Sequence, residues 1–233
     1  MDEYLWIIEN KDLLKVFYGL LIGAICAVIV VRTDRLLKIS LHQGIRYFRN
    51  AFFFYGIAFI ARAFIGLAFF TGYKNLNFFY SLNFIFEFFI IMAGFFLLYS
   101  LLWKRIEDTA DNYSSSLFNS KIAIFYAMAL IIVLLDSIWQ ETRIFLFASQ
   151  IIVFAVATII SFANYRADAR QHKFLKFYLI AMILGLTAWI LNSFAGAYYA
   201  WANSFITLNV LILDAIIFLL FLFGVISVTR AKQ

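Results

Sequence analysis

The sequence predicts an all-α integral membrane protein of seven transmembrane helices, with its N-terminus outside and its C-terminus in the cytoplasm. Three observations carry that prediction: an apolar composition, seven apolar runs of spanning length, and a one-sided distribution of lysine and arginine. Of 233 residues, 65% are hydrophobic and 14% charged, whereas soluble domains carry roughly 25% charged residues. With a mean hydropathy of +0.92, the chain lacks the polar residues that a water-soluble globule needs to cover its core. Seven spans of about 20 residues each, plus short loops, use nearly all of it. One membrane domain over 1–233 is therefore expected, with no room for a separate soluble domain.

The apolar runs are Leu13–Val31, Ala51–Thr71, Asn77–Leu102, Lys121–Ile138, Ile144–Ala163, Phe174–Ala195 and Phe205–Val228. Each can cross a hydrocarbon layer of about 30 Å at about 1.5 Å per residue. The first is a retained helix and not a cleaved signal, because Asp2, Glu3 and Glu9 precede it and Arg32 closes it. Trp6, Trp103, Trp139 and Trp201 near span ends read as interfacial anchors, and the stretch from Ala195 to Ser204 suits an interfacial turn. Cys26 is the only cysteine, so the chain has no internal disulfide, and its place in an apolar run suits a small packing residue.

Orientation follows from the basic residues. One set of alternate connections holds fourteen: Arg32, Arg35, Lys38, Arg46, Arg49, Lys104, Arg105, Lys121, Arg166, Arg170, Lys173, Lys176, Arg230 and Lys232. The other side holds four, Lys11, Lys15, Lys74 and Arg143. Because the bias recurs in every loop pair, the positive-inside rule places the N-terminus outside a cell membrane. The net charge of +6 thus reads as topology determinants and contacts for anionic lipid headgroups, not as a nucleic-acid patch.

The acidic, serine-rich stretch from Glu107 to Ser116 reads as a cytoplasmic linker, which leaves the sequon at Asn112 without consequence. The segment from Arg32 to Gly44 suits either a short helix in the headgroup layer or a solvated loop. With no proline in the chain, any helix bend must fall at glycine or serine, or through a bulge. Gly19, Gly23 and Ala27 form a small-residue ridge that permits close approach of a second helix.

The chain also matches itself. In one ungapped register His42 meets His172, Arg46 meets Lys176, Ala51 meets Ala181, Ala58 meets Ala188, Ile60 meets Ile190, Phe64 meets Phe194 and Gly66 meets Gly196. Ser81-Leu82-Asn83 likewise meets Thr207-Leu208-Asn209, with an acid following each, Glu87 or Asp214. The expected organisation is three helices over 1–105, a linker and linking helix over 106–139, and three helices over 140–233. An odd count of spans gives both triplets the same orientation, a parallel repeat about an axis along the membrane normal. This 3+1+3 arrangement resembles that of the SWEET and PQ-loop transporters and of microbial rhodopsins, in topology alone. The Pro-Gln dipeptides of the PQ-loop family are missing, and Phe205–Val228 has no lysine to hold retinal. No residue is carried over from either family.

Ionisable groups inside a bilayer cost at least about 2.5–3.5 kcal/mol each and so point to function first. Arg62, Glu87 and Asp214 all lie about 13–15 Å from the outer end of their spans, with Asn83 one turn outward of Glu87 and Asn192 the repeat partner of Arg62. One base faces two acids. Either one carboxyl is protonated, or a cation or solute joins the site. The structural alternative is an Arg62–Glu87 ion pair that fixes helix packing, with Asp214 facing water. Asp136 is expected to reach the interface, and His42 and His172, at cytoplasmic helix ends, lack the further ligands a metal site needs.

No phosphate loop, serine-nucleophile motif or paired-histidine motif occurs, so neither enzyme activity nor a cofactor is expected. The reading is a small-solute or ion-coupled transporter whose midplane site comprises Arg62, Glu87, Asp214, Asn83 and Asn192. A seven-helix sensor or receptor without retinal, and a packing subunit of a membrane complex, are the alternatives. Lipid, a small solute or cation, and a second copy of the chain are the partners to expect.

Overall fold

The computed structural model describes residues 11–40, 43–73, 75–106, 120–139, 143–168, 173–198 and 204–230. These form seven helices: α1 Lys11–Ser40, α2 Gln43–Phe70, α3 Leu76–Ile106, α4 Ser120–Ile138, α5 Ile144–Asp168, α6 Lys173–Tyr198 and α7 Ser204–Arg230. All except α4 are long and apolar enough to cross a membrane, while the apolar part of α4 is the shorter stretch Ile122–Ile138. Large apolar side chains such as Phe17, Ile131, Ile159 and Phe223 are more than half exposed. An apolar exterior over an equally apolar interior is what a lipid solvent permits.

The helices end where local chemistry ends them. At the C-terminus of α2, Gly72 takes a φ of 70°, and its N–H bonds the Phe69 carbonyl while that of Tyr73 bonds the Ala68 carbonyl. This is a Schellman close, and it needs a residue that tolerates left-handed backbone. Asn75 then caps α3, its Oδ1 accepting from the Phe78 N–H at 3.4 Å. The predicted break after Val31 does not occur, since α1 continues to Ser40. The segment holds no glycine or proline, Leu36 is buried, and Arg49 of α2 bonds Asp34 at 2.7 Å. Leucine, arginine and lysine are good helix formers, so nothing local opposes the extension. His42, His172 and the whole linker from Glu107 to Ser116, with Asn112 in it, lie outside the described residues.

Neighbour contacts run α1 to α2, α2 to α3, α3 to α5, α5 to α6, α6 to α7, and α7 back to α1. Six helices thus close a ring, and α4 packs outside it against α3 and α5. The middle of the ring is filled by aromatic rings. Phe52 of α2 meets Phe218 and Phe221 of α7 with centroids 6.1 and 5.0 Å apart, and Phe48 meets Tyr178 of α6 at 6.0 Å. The Tyr178 hydroxyl lies 3.3 Å from the Leu97 carbonyl, to which it donates. The small-residue ridge of α1 lies on α2: a Cβ at Gly19 would stand 2.7 Å from the Phe59 carbonyl oxygen.

Candidate functional site

The layer of charge divides into two groups at the two seams where the first three helices meet the last three. At the α3/α5 seam, Glu87 is buried, and its Oε1 pairs with Nε of Arg143 at 3.1 Å. The same guanidinium donates to Asn83 Oδ1 at 3.1 Å. Asn83 and Glu87 face one partner because they stand four residues apart on one helix face. Arg143 has a φ of 47° and directly precedes α5, its carbonyl accepting from the Phe147 N–H. Backbone strain at a polar cleft is a recurrent mark of functional positions.

Beside this pair lies Asp136, which the sequence placed at the interface. It is in fact only 4% exposed. Its two carboxylate oxygens accept from the backbone N–H groups of Phe145 and Leu146, at 3.0 and 2.6 Å. These are orphan donors of the first turn of α5, so a side chain from the preceding helix performs the cap. A cavity of about 460 Å³ opens among Asn83, Glu87, Asp136, Ser137, Arg143 and Tyr80, a size suited to a small organic ligand. Its walls bear two acids and one base.

At the α1/α7 seam, the Tyr18 hydroxyl donates to Oδ2 of Asp214 at 3.2 Å. Arg62 acts electrostatically on Asp214 but makes no direct ion pair with it among the described residues. Its guanidinium lies instead 5.8 Å from the centroid of Tyr18 and 5.7 Å from that of Phe86. Cation–π contact with two ring faces gives a half-buried arginine a favourable place in a dry bundle.

The structure therefore brings Asn83 to Glu87, and brings Arg62 near Asp214, with the Phe86 ring beside Arg62. It does not place Arg62 against Glu87, because Arg143 occupies that carboxylate. Asn192 is half-buried on α6, and no polar contact joins it to these groups among the described residues. Tyr18, Arg143 and the capping role of Asp136 were not read from the sequence. Arg143 was counted only as a topology charge, although an arginine that directly opens an apolar run was a usable signal. Among the described residues no three His, Cys, Asp or Glu side chains gather to hold a metal.

No protein-family model matches the chain, and no solved structure matches it. It is similar to a protein of Archaeoglobus fulgidus described as uncharacterized, with 24% identity over 188 residues that cover 76% of this chain and 77% of the relative. That similarity extends across most of both chains and brings no activity with it.

Proposed function

We propose that this polytopic membrane protein has seven spans with its N-terminus outside, and that it carries a small solute or ion across a cell membrane. The polar groups at its two seams bind the cargo, and no catalysis is involved. One observation carries the reading. Each seam is bridged by an acid on the third helix of one triplet and a donor at the first helix of the other, Glu87 to Arg143 and Asp214 to Tyr18. Glu87 and Asp214 stand 11 and 10 residues into their helices, about 15 Å along each axis. The ring order α1-α2-α3-α5-α6-α7 maps onto itself when each triplet takes the place of the other. This supports the 3+1+3 repeat. Two triplets joined by breakable polar bonds are suited to rocking about a fixed site, the usual basis of alternating access.

A second reading, a seven-helix sensor without retinal, has one observation in its favour. The cavity lies at the end of the bundle that carries the start of α3, while Phe48, Phe52, Phe218, Phe221 and Tyr178 fill the middle. A ligand bound there could shift helices without passing through.

Two experiments test these readings. In a Cys26→Ala background, single cysteines at Ser115 and Asn203, both outside the described residues, report topology. An impermeant thiol reagent should label only Asn203→Cys in intact cells, and labelling of Ser115→Cys alone reverses the orientation. For transport, purified protein in vesicles is offered gradients of protons, sodium ions and butylammonium, with Asp214→Asn and Glu87→Gln as variants. A flux that Asp214→Asn abolishes supports the carrier. If Asp214→Asn matches the parent in stability, ion dependence and flux, the two-seam site is wrong.

A further inference from the structure

One side chain of α5 is at odds with its surroundings. Gln150 is fully buried, and neither its Nε2 nor its Oε1 has a hydrogen-bond partner among the described residues. It faces Gly94 of α3, where an added Cβ would stand 2.6 Å from Oε1. A buried amide without partners is among the more expensive features a core can hold, and in a bilayer no surrounding solvent relieves it. Ser161, only 2% exposed, likewise has a hydroxyl without a partner among the described residues.

These groups are not scattered. Gln150 and Ser161 are spaced by eleven residues, which returns to the same face of α5 within about 20°, and Arg143 stands just before that helix, seven residues ahead of Gln150. On α3, Gly94 likewise follows Glu87 by seven residues. The Gly94–Gln150 contact therefore lies about 10 Å deeper along the same seam than the Glu87–Arg143 pair. The cavity above has an excess of acid in its walls, Glu87 and Asp136 against Arg143.

We propose that the α3/α5 seam is the path of the cargo, that Gln150 is its second polar station below the Glu87–Arg143 pair, and that the cargo is a small cation. The proposal rests on the carrier reading above and deepens it. The acid excess draws in positive charge and disfavours anions. The Gln150 carbonyl oxygen can then accept from an ammonium or coordinate a bare cation, and the missing side chain at Gly94 is what admits its amide to the seam. Ser161 continues the same face toward the basic end of α5.

The test uses thiol reagents of opposite charge and needs no identified substrate. Single cysteines replace Glu87, Gln150, Ser161 and, as a control, Met182, which is equally buried on α6, in the Cys26→Ala background. Each variant in intact cells meets an external trimethylammonium-ethyl or sulfonatoethyl methanethiosulfonate. Glu87→Cys and Gln150→Cys should react at least about tenfold faster than Met182→Cys. The cationic reagent should outpace the anionic one by a wider margin at Gln150→Cys than at an exposed Asn75→Cys. Reaction at Glu87→Cys without reaction at Gln150→Cys overturns the path and leaves the site standing. If Glu87→Cys is also inert, the site reading itself fails, and equal rates for the two charges overturn the cation assignment. Gln150→Met guards against misfolding of the cysteine variant. As an apolar near-isostere it keeps or raises stability, and it should close Ser161→Cys to the cationic reagent while sparing Glu87→Cys. Unchanged reactivity of Ser161→Cys in the Gln150→Met background refutes the station.

Discussion

The close crossing of α1 over α2 predicts a graded response to one added methyl group. At Gly19 a Cβ would meet the Phe59 carbonyl oxygen at 2.7 Å, the Ala63 Cβ at 2.9 Å and the Ala63 N at 3.1 Å. Two of these three atoms are backbone, so relief requires the helices to separate. At Gly23 the nearest atom is Ile60 Cγ1 at 3.3 Å, in a side chain that can shift, and at Gly56 the contact is Cys26 Cβ at 3.4 Å, ordinary packing distance. Overpacking typically costs about 1–3 kcal/mol, while glycine to alanine inside a helix gains up to about 1 kcal/mol. Gly19→Ala should therefore destabilise by about 1–2 kcal/mol net, Gly23→Ala should be near neutral, and Gly56→Ala should gain about 0.5–1 kcal/mol. Unfolding of the purified protein in one detergent, followed by helical circular dichroism against denaturant, reads all three. If Gly19→Ala is as stable as Gly56→Ala, the α1/α2 crossing is not this close, and the ridge argument fails with it.

Two further predictions concern the α3/α5 seam. Asp136→Ala strands the N–H groups of Phe145 and Leu146 and should cost about 1–2 kcal/mol, with Asp136→Asn losing roughly half of that because one oxygen remains. Equal stability of parent and alanine variant in the same unfolding assay would remove Asp136 as a cap. For the ion pair the two single variants should be unequal. The Arg143 side chain is 38% exposed and that of Glu87 9%, so Arg143→Gln strands a buried acid at about 1–3 kcal/mol, while Glu87→Gln lets the arginine turn to water for under about 1 kcal/mol. A double-mutant cycle that returns no coupling refutes the pair as a working contact.

How much of this was legible in the sequence varied with the kind of information each residue carries. Apolar runs fix where helices lie because length and hydropathy are one-dimensional properties, and the six long apolar helices fall on predicted runs. Position along a helix is one-dimensional too, and Glu87 and Asp214 stand 11 and 10 residues into theirs. Azimuth and partner choice are not. Whether Glu87 meets Arg62 or Arg143 depends on how α3 is rotated and on which helix stands beside it, and that follows only from the closed ring. Asp136 was misplaced for a related reason: proximity to a helix end indicates exposure unless the next helix starts directly beside it, as α5 does. Gln150 carries no charge and sits in an apolar run, so only the structure showed that its amide lacks a partner among the described residues.

The position of the polar groups at the seams matters because of the solvent. In water, apolar contact between helices is driven strongly by the removal of hydrocarbon from solvent, and a hydrogen bond adds little on top. In lipid that drive between helices is absent, and association rests on close packing and on polar bonds. Within the first triplet the contacts are tight: α1 and α2 approach through Gly19 and Gly23, and α2 and α3 stack aromatic rings, with Phe54 5.2 Å from Phe96. The seams add the polar bonds Glu87–Arg143 and Tyr18–Asp214 to their packing. Each is a contact that a proton, a cation or a polar solute can replace at small net cost, since the incoming group satisfies the same carboxylate. Packing of rings offers no such exchange. On the carrier reading proposed above, a cargo that competes for the seam bonds acts on the exchangeable part of what joins the two triplets, beside the contacts of Phe48 and Phe52 with Phe218 and Phe221 that also join them.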